Sequence, residues 1–200
     1  MLRSNMTPTS RKNLRTFAAA NSIWAIVGGI MGPFYILQVN NLSDGMEKMG
    51  FAFSIMILFR SASSYVTGRV SDRCGRKVFL FLAAYIQAIV IFLYTVITTT
   101  SHLFILQALM GVTDGSLTTI KTCLLGDITR KEKRGTVVGG FDAVVSLSSA
   151  IGLALGGYIV KFYGLKSVFY ITSVVIVLST AVLFFIKEDA EAAVPPEKTS

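Results

Sequence analysis

The apolar residues of this chain fall in long runs separated by short polar connections. Three runs, Phe17 to Val39, Val78 to Ile97 and Val168 to Ile186, contain no Asp, Glu, Lys or Arg. A bilayer core about 30 Å thick needs roughly 20 mostly apolar residues of helix, so each run is long enough to cross it. Three further runs carry isolated charges: Phe51 to Thr67 holds Arg60, Leu103 to Leu125 holds Asp114 and Lys121, and Thr136 to Val160 holds Asp142. All six read as transmembrane helices of an all-α integral membrane protein. The chain then divides into a basic N-terminus at 1–16, a six-helix transmembrane bundle at 17–187 and a flexible polar tail at 188–200. Arg3, Arg11, Lys12 and Arg15 precede the first run as they would in a cleaved signal peptide. That run exceeds the roughly 7 to 15 residues of a signal core, so it reads as a signal-anchor helix.

Composition agrees with the pattern. The 200 residues are 52% hydrophobic and 15% charged, with a mean hydropathy of +0.63, which excludes disorder and argues against a water-soluble enzyme. The net charge of +8 would suit a nucleic-acid partner if the basic residues formed one patch. They do not. Four lie in the N-terminus, four in the second connection (Arg69, Arg73, Arg76, Lys77), four in the fourth (Arg130, Lys131, Lys133, Arg134) and two in the tail (Lys187, Lys198). The first connection has only Lys48, the third none, and the fifth Lys161 and Lys166. This is the positive-inside asymmetry of a multi-pass protein with both termini in the cytoplasm. It consumes the basic excess and leaves no nucleic-acid footprint.

A repeat is visible as well. Gly68, Gly75 and Lys77 recur 89 positions later as Gly157, Gly164 and Lys166, with Lys161 at the place of Asp72. The same shift lays the first helix over the fourth, so helices one to three and four to six read as a 3+3 repeat. With three spans each, the copies lie inverted in the membrane, an arrangement found in secondary transporters.

The connection between the second and third helices reads Gly68-Arg-Val-Ser-Asp72-Arg73-Cys74-Gly75-Arg76-Lys77. It resembles the signature loop of the major facilitator superfamily, G-x-x-x-D-x-x-G-R-K/R, at the expected place and on the cytoplasmic side. After the fourth helix, Asp127, six intervening residues and then Arg134-Gly135 resemble that family's acidic-x6-Arg-Gly element. The resemblance covers residues 15 to 187 and implies a major-facilitator-like bundle, one half of a twelve-span transporter. It assigns Gly68, Asp72, Gly75, Arg76 and Lys77 to a gating latch, with Asp127 and Arg134 in a cytoplasmic charge network. The residue types suit such a latch: the glycines permit tight backbone geometry, and a carboxylate can accept from a helix N-terminus or an Arg fork. A solvated positive-inside loop would account equally for Arg73, Arg76 and Lys77. Two departures stand out. Gln107 occupies the Arg position of the fourth-helix R-x-x-Q-G-x-G pattern, and Gly152 to Gly157 lacks the proline of the antiporter sequence. Proton coupling through that Arg, and antiport, are therefore not carried over.

Charges inside a membrane are costly, at least about 2.5 kcal/mol near the centre on insertion scales, so they are functional candidates. At about 1.5 Å per residue, Asp114 lies roughly 16 Å from either end of its run, Arg60 about 12 Å above the cytoplasmic face, and Lys121 and Asp142 about 6 and 9 Å above it. Depth and sign predict two interhelical pairs, Arg60 with Asp114 and Lys121 with Asp142. Structural neutralisation and a functional site both remain open for them. The resemblance places the first and fourth helices around a central cavity. Asn21, Trp24, Arg60, Gln107 and Asp114 become candidates for binding substrate or protons, with Asp114 favouring cationic or proton-coupled cargo. Gly111/Gly115 and Gly152/Gly156 read as helix-packing contacts.

Other chemistry is thinly supported. No G-x-x-x-x-G-K-S/T loop is present, Asp114 and Asp142 sit too far apart in depth for an intramembrane aspartyl protease, and one His with two Cys offers no metal cluster. No cofactor is implied. The expectation is a secondary active transporter of the cell membrane, not an enzyme, moving a small solute by alternating access. Protons are a candidate coupling ion. Two six-helix units are needed, either as a parallel homodimer or with a second half. The alternative is an inactive or regulatory half that scaffolds a partner. Reporter fusions test the topology: a cytoplasm-active reporter is expected to work at either terminus and in the fourth connection, and activity of an exported-only reporter at any of these would refute it.

Overall fold

A computed structural model describes residues 8–74, 76–129 and 134–185. Among them the chain forms six α-helices: α1 (Pro8–Ser43), α2 (Met46–Cys74), α3 (Arg76–Leu93), α4 (Thr100–Ile128), α5 (Arg134–Tyr163) and α6 (Leu165–Phe185). α1 starts nine residues before the first apolar run, at a proline whose fixed φ and missing N–H suit the first helical position. It continues through Pro33. α3 ends at Leu93, four residues short of the predicted end, and the chain turns there with Thr95 N donating to Phe92 O at 3.0 Å. The Thr99 side chain then caps α4 by accepting from His102 N.

The links are tight. Asp44 (φ 52°) and Gly45 (φ 130°) join α1 to α2 in left-handed backbone, while Ser43 Oγ donates to Asn40 O at 3.1 Å. α5 ends on Gly164, whose φ of 82° places it where a Cβ is disfavoured and reverses the chain into α6.

By length and composition, 17–43, 46–71, 100–126 and 134–163 can cross a membrane, while Phe79–Leu93 and Leu165–Thr180 are shorter apolar helices. α4 is the most enclosed, with 56% of its spanning window buried against 6% in α2 and 11% in α5. It packs chiefly on α2 and then on α3; α1 packs on α5 and α6, and α3 meets α6. Exchanging α1 with α4, α2 with α5 and α3 with α6 maps these principal neighbours onto one another.

Two seams bring helix backbones together. A Cβ on Gly111 or Gly115 would overlap the carbonyl oxygens of Met56 or Arg60 in α2, and one on Gly152 or Gly156 would run into Ile26 or Ile30 in α1. Gly29 lies equally close to the Ser149 carbonyl. Lipid tails are as apolar as Leu, so helices associate through such close approaches and through polar contacts between them. α2 and α4 add the latter. Ser63 Oγ donates to Val112 O at 2.7 Å, and Ser116 Oγ lies 2.9 Å from both Ser63 Oγ and Thr67 Oγ1. Gly111→Val and Gly152→Val are each expected to cost about 1–3 kcal/mol by overpacking, read from unfolding in detergent. Gly157→Ala, in open space on α5, should be neutral or mildly stabilising; equal losses at all three would refute the seams.

Candidate functional site

The seam between α2 and α4 places side chains as well as backbones. Gly115 lies against the Arg60 backbone, so its neighbour Asp114 meets the Arg60 side chain: Nε and Oδ2 are 3.1 Å apart. Both side chains are partly open, at 45% and 36% exposure. The two residues matched by depth and sign are thus adjacent, and the pair is neutral as a unit.

Lys121 goes elsewhere. Its Nζ sits over the Trp24 ring of α1, 4.4 Å from the centroid, and no ion pair to Asp142 is found among the described residues. The reason is tertiary. α4 packs on α2 and α3, whereas α5 packs on α1 and α6, and α4 and α5 share no extended interface. Depth matched Lys121 with Asp142, but position around the helices separates them. Asp142 is exposed on α5, next to Phe141, which stacks on Phe17 at 5.5 Å.

Gln107, Asp114 and Lys121 recur every seven residues, two turns, and so form one polar stripe along α4. At the Gln107 end the stripe is sealed. Gln107 is fully buried, and its Oε1 accepts from Tyr35 OH at 2.6 Å. Tyr35 spends its one proton there, so Tyr94 OH, 3.4 Å away, is the donor between the two phenols. Gln38 Nε2 donates to Tyr94 O at 2.8 Å, and the Tyr35 and Tyr94 rings meet edge to face. Gln107 Nε2 has no partner among the described residues. Trp24 and Tyr35 lie eleven residues apart, three turns, on the α1 face that meets this stripe.

Asn21, half-buried, donates from Nδ2 to Phe17 O of its own helix at 2.9 Å. Gly68 is half-buried near Thr119, and Arg134 Nη2 donates to Gly126 O at 3.3 Å, tying the start of α5 to the end of α4. Gly75 lies outside the described residues, as do the side chains of Asp72, Arg76, Lys77 and Asp127. Sequence reasoning did not single out Tyr94, Gln38 or the Ser63/Thr67/Ser116 hydroxyls. The spacing of Ser63 and Thr67, one turn apart on the helix bearing Arg60, is a signal that could have found the last group.

An all-helical, multi-pass membrane protein with a polar stripe and an ion pair within its bundle is the class that the fold and site define. The chain belongs to the Major Facilitator Superfamily, whose family model matches residues 16–200. It is 26% identical over 147 residues to an uncharacterized MFS-type transporter, YitZ, of Bacillus subtilis, covering 74% of this chain and 90% of that protein. It is 33% identical over 165 residues to the multidrug resistance protein MdtG of Dickeya zeae, and 35% over 163 to that of Proteus mirabilis. Those matches cover 80% and 78% of this chain but 40% of each MdtG.

The Tyr35 network has a direct test. Tyr35→Phe strands the buried Gln107 Oε1 and should cost about 1–3 kcal/mol in detergent unfolding, and Tyr35→Phe with Gln107→Leu should recover part of it. A neutral single variant would contradict the network.

Proposed function

We propose that the chain is a six-helix unit of a secondary active transporter that moves a small amphipathic solute across the cell membrane by alternating access. Its function requires a second six-helix unit, either another copy in parallel or a second half. Both termini face the cytoplasm in this reading. The observation that carries it is the partly exposed Arg60–Asp114 pair on the polar stripe of α4: a neutral pair that stays open offers charged contacts to a solute, where pure neutralisation would favour closure. Membership of a transporter family supports the class. The printed name of the MdtG relatives, multidrug resistance protein, supports amphipathic, drug-like cargo. The exposed apolar sides of α2 and α5, with Leu58 at 67% and Leu147 at 66%, favour a second unit or lipid against these faces.

The exchange of neighbours between the two halves supports the inverted 3+3 reading. In that scheme Gly68, Asp72, Gly75, Arg76 and Lys77 form a latch between units, Asp127 and Arg134 belong to the cytoplasmic charge network, and Asn21, Trp24 and Gln107 line the solute path with the pair.

In proteoliposomes, saturable movement of amphipathic aromatic solutes is expected. Asp114→Asn should reduce its rate at least about tenfold, 1.4 kcal/mol in barrier, with protein mass in lipid giving two six-helix units per transporter. Full transport by Asp114→Asn would remove the pair from the mechanism. Full transport by single units would remove the need for a second.

A further inference from the structure

The stripe on α4 carries two charges of opposite sign, but only one is matched in kind. Asp114 is met by Arg60 at 3.1 Å. Lys121, half-buried, meets an aromatic face and no carboxylate among the described residues. Arg60, Asp114 and Lys121 together leave one positive charge on this surface of α1, α2 and α4. Asp142, on α5, is exposed and unpaired with any of them. An ammonium within an apolar bundle is costly unless compensated, and a ring face compensates less than an anion does. The ring contact occupies one side of Nζ, and its N–H donors make no hydrogen bond among the described residues.

The α1 surface next to Trp24 is open. Gly28 lies one turn from Trp24 on the same side of α1, is exposed, and a Cβ there would meet nothing within 4 Å. A planar or apolar body lying along α1 at Gly28 would have the Trp24 ring, with Lys121 Nζ over it, at one end.

We propose that Lys121, Trp24 and the open face at Gly28 form an anion-recognition site, so that the solute is an amphipathic organic acid: one carboxylate or comparable anion on an aromatic or aliphatic body. This names the substrate class within the transporter reading above and rests on it. The neutral Arg60–Asp114 pair two turns away supplies polar contacts without reversing the preference for negative charge.

Trp24 is the only tryptophan in the chain, so its fluorescence reports this site with no label. The full-length protein in zwitterionic phosphatidylcholine nanodiscs is titrated with 4-phenylbutyrate, its amide and 4-phenylbutylamine, which share a body and differ in charge. The acid is expected to change Trp24 emission saturably and to bind at least about tenfold more tightly than either analogue. Lys121→Gln should bring acid and amide within about twofold, whereas Lys121→Arg should keep the preference; helical content and thermal unfolding establish that both variants are folded. Equal or tighter binding of the amine, an acid preference that survives Lys121→Gln, or no saturable response to any probe in folded protein would overturn the assignment. Adding anionic phosphatidylglycerol separates a soluble acid from a lipid headgroup. Retained acid binding supports the solute, and a lipid-induced emission change that abolishes acid binding overturns it. Binding without transport in proteoliposomes would contradict the transporter reading alone, and transport without acid preference would contradict this site alone.

Discussion

Gly111 and Gly115 allow α4 to lie with its backbone against the carbonyls of Met56 and Arg60 in α2, and much of the molecule follows from that contact. In a bilayer no hydrophobic force separates helix–helix from helix–lipid contact, so shape and polar pairing decide which helices touch. The glycine seam fixes the register of α2 on α4. With that register set, the hydroxyls of Ser63, Thr67 and Ser116 fall within hydrogen-bonding reach, and Arg60 comes beside Asp114. Two charges, each expensive alone in hydrocarbon, become a neutral pair because their backbones were brought together by residues with no side chain.

The second seam, between α1 and α5, uses the same device with Gly152, Gly156 and Gly29. α1 is thereby held where its Trp24 and Tyr35 face meets the stripe of α4. One end of that stripe is closed by Gln107, Tyr35 and Tyr94, all buried; the other end, at Lys121, is half-open. The stripe is thus sealed at its Gln107 end and half-open at its Lys121 end.

Much of this was legible in the sequence. Helix number and type followed from apolar runs, since backbone satisfaction in lipid leaves few alternatives. The Arg60–Asp114 pair followed from depth, because a helix converts residue spacing into height at a fixed rise. Gly111/Gly115 and Gly152/Gly156 were readable as packing contacts from their spacing. What height cannot give is direction around the helix axis. Lys121 and Asp142 were matched in depth, yet α4 and α5 share no extended interface, and the lysine turns to Trp24 instead. The end of α3 at Leu93 was hidden for a different reason: Tyr94, Val96 and Ile97 are apolar enough to extend the run, while the backbone there changes to three-residue turns, Thr95 N to Phe92 O and Val96 N to Leu93 O. The helical start at Pro8 was missed because hydropathy marks the bilayer's edge, not the helix's.

Arg60 and Asp114 are partners held by the α2–α4 seam, and the polar stripe depends on that pairing. The measurement that tests this most directly is a charge-exchange cycle, Arg60→Asp, Asp114→Arg and the two together, with unfolding in detergent as the readout. Each single variant places two like charges side by side and should be destabilised, and the double variant should recover with a coupling of about 0.5–3 kcal/mol. A double variant no more stable than the sum of the two single losses would contradict the account.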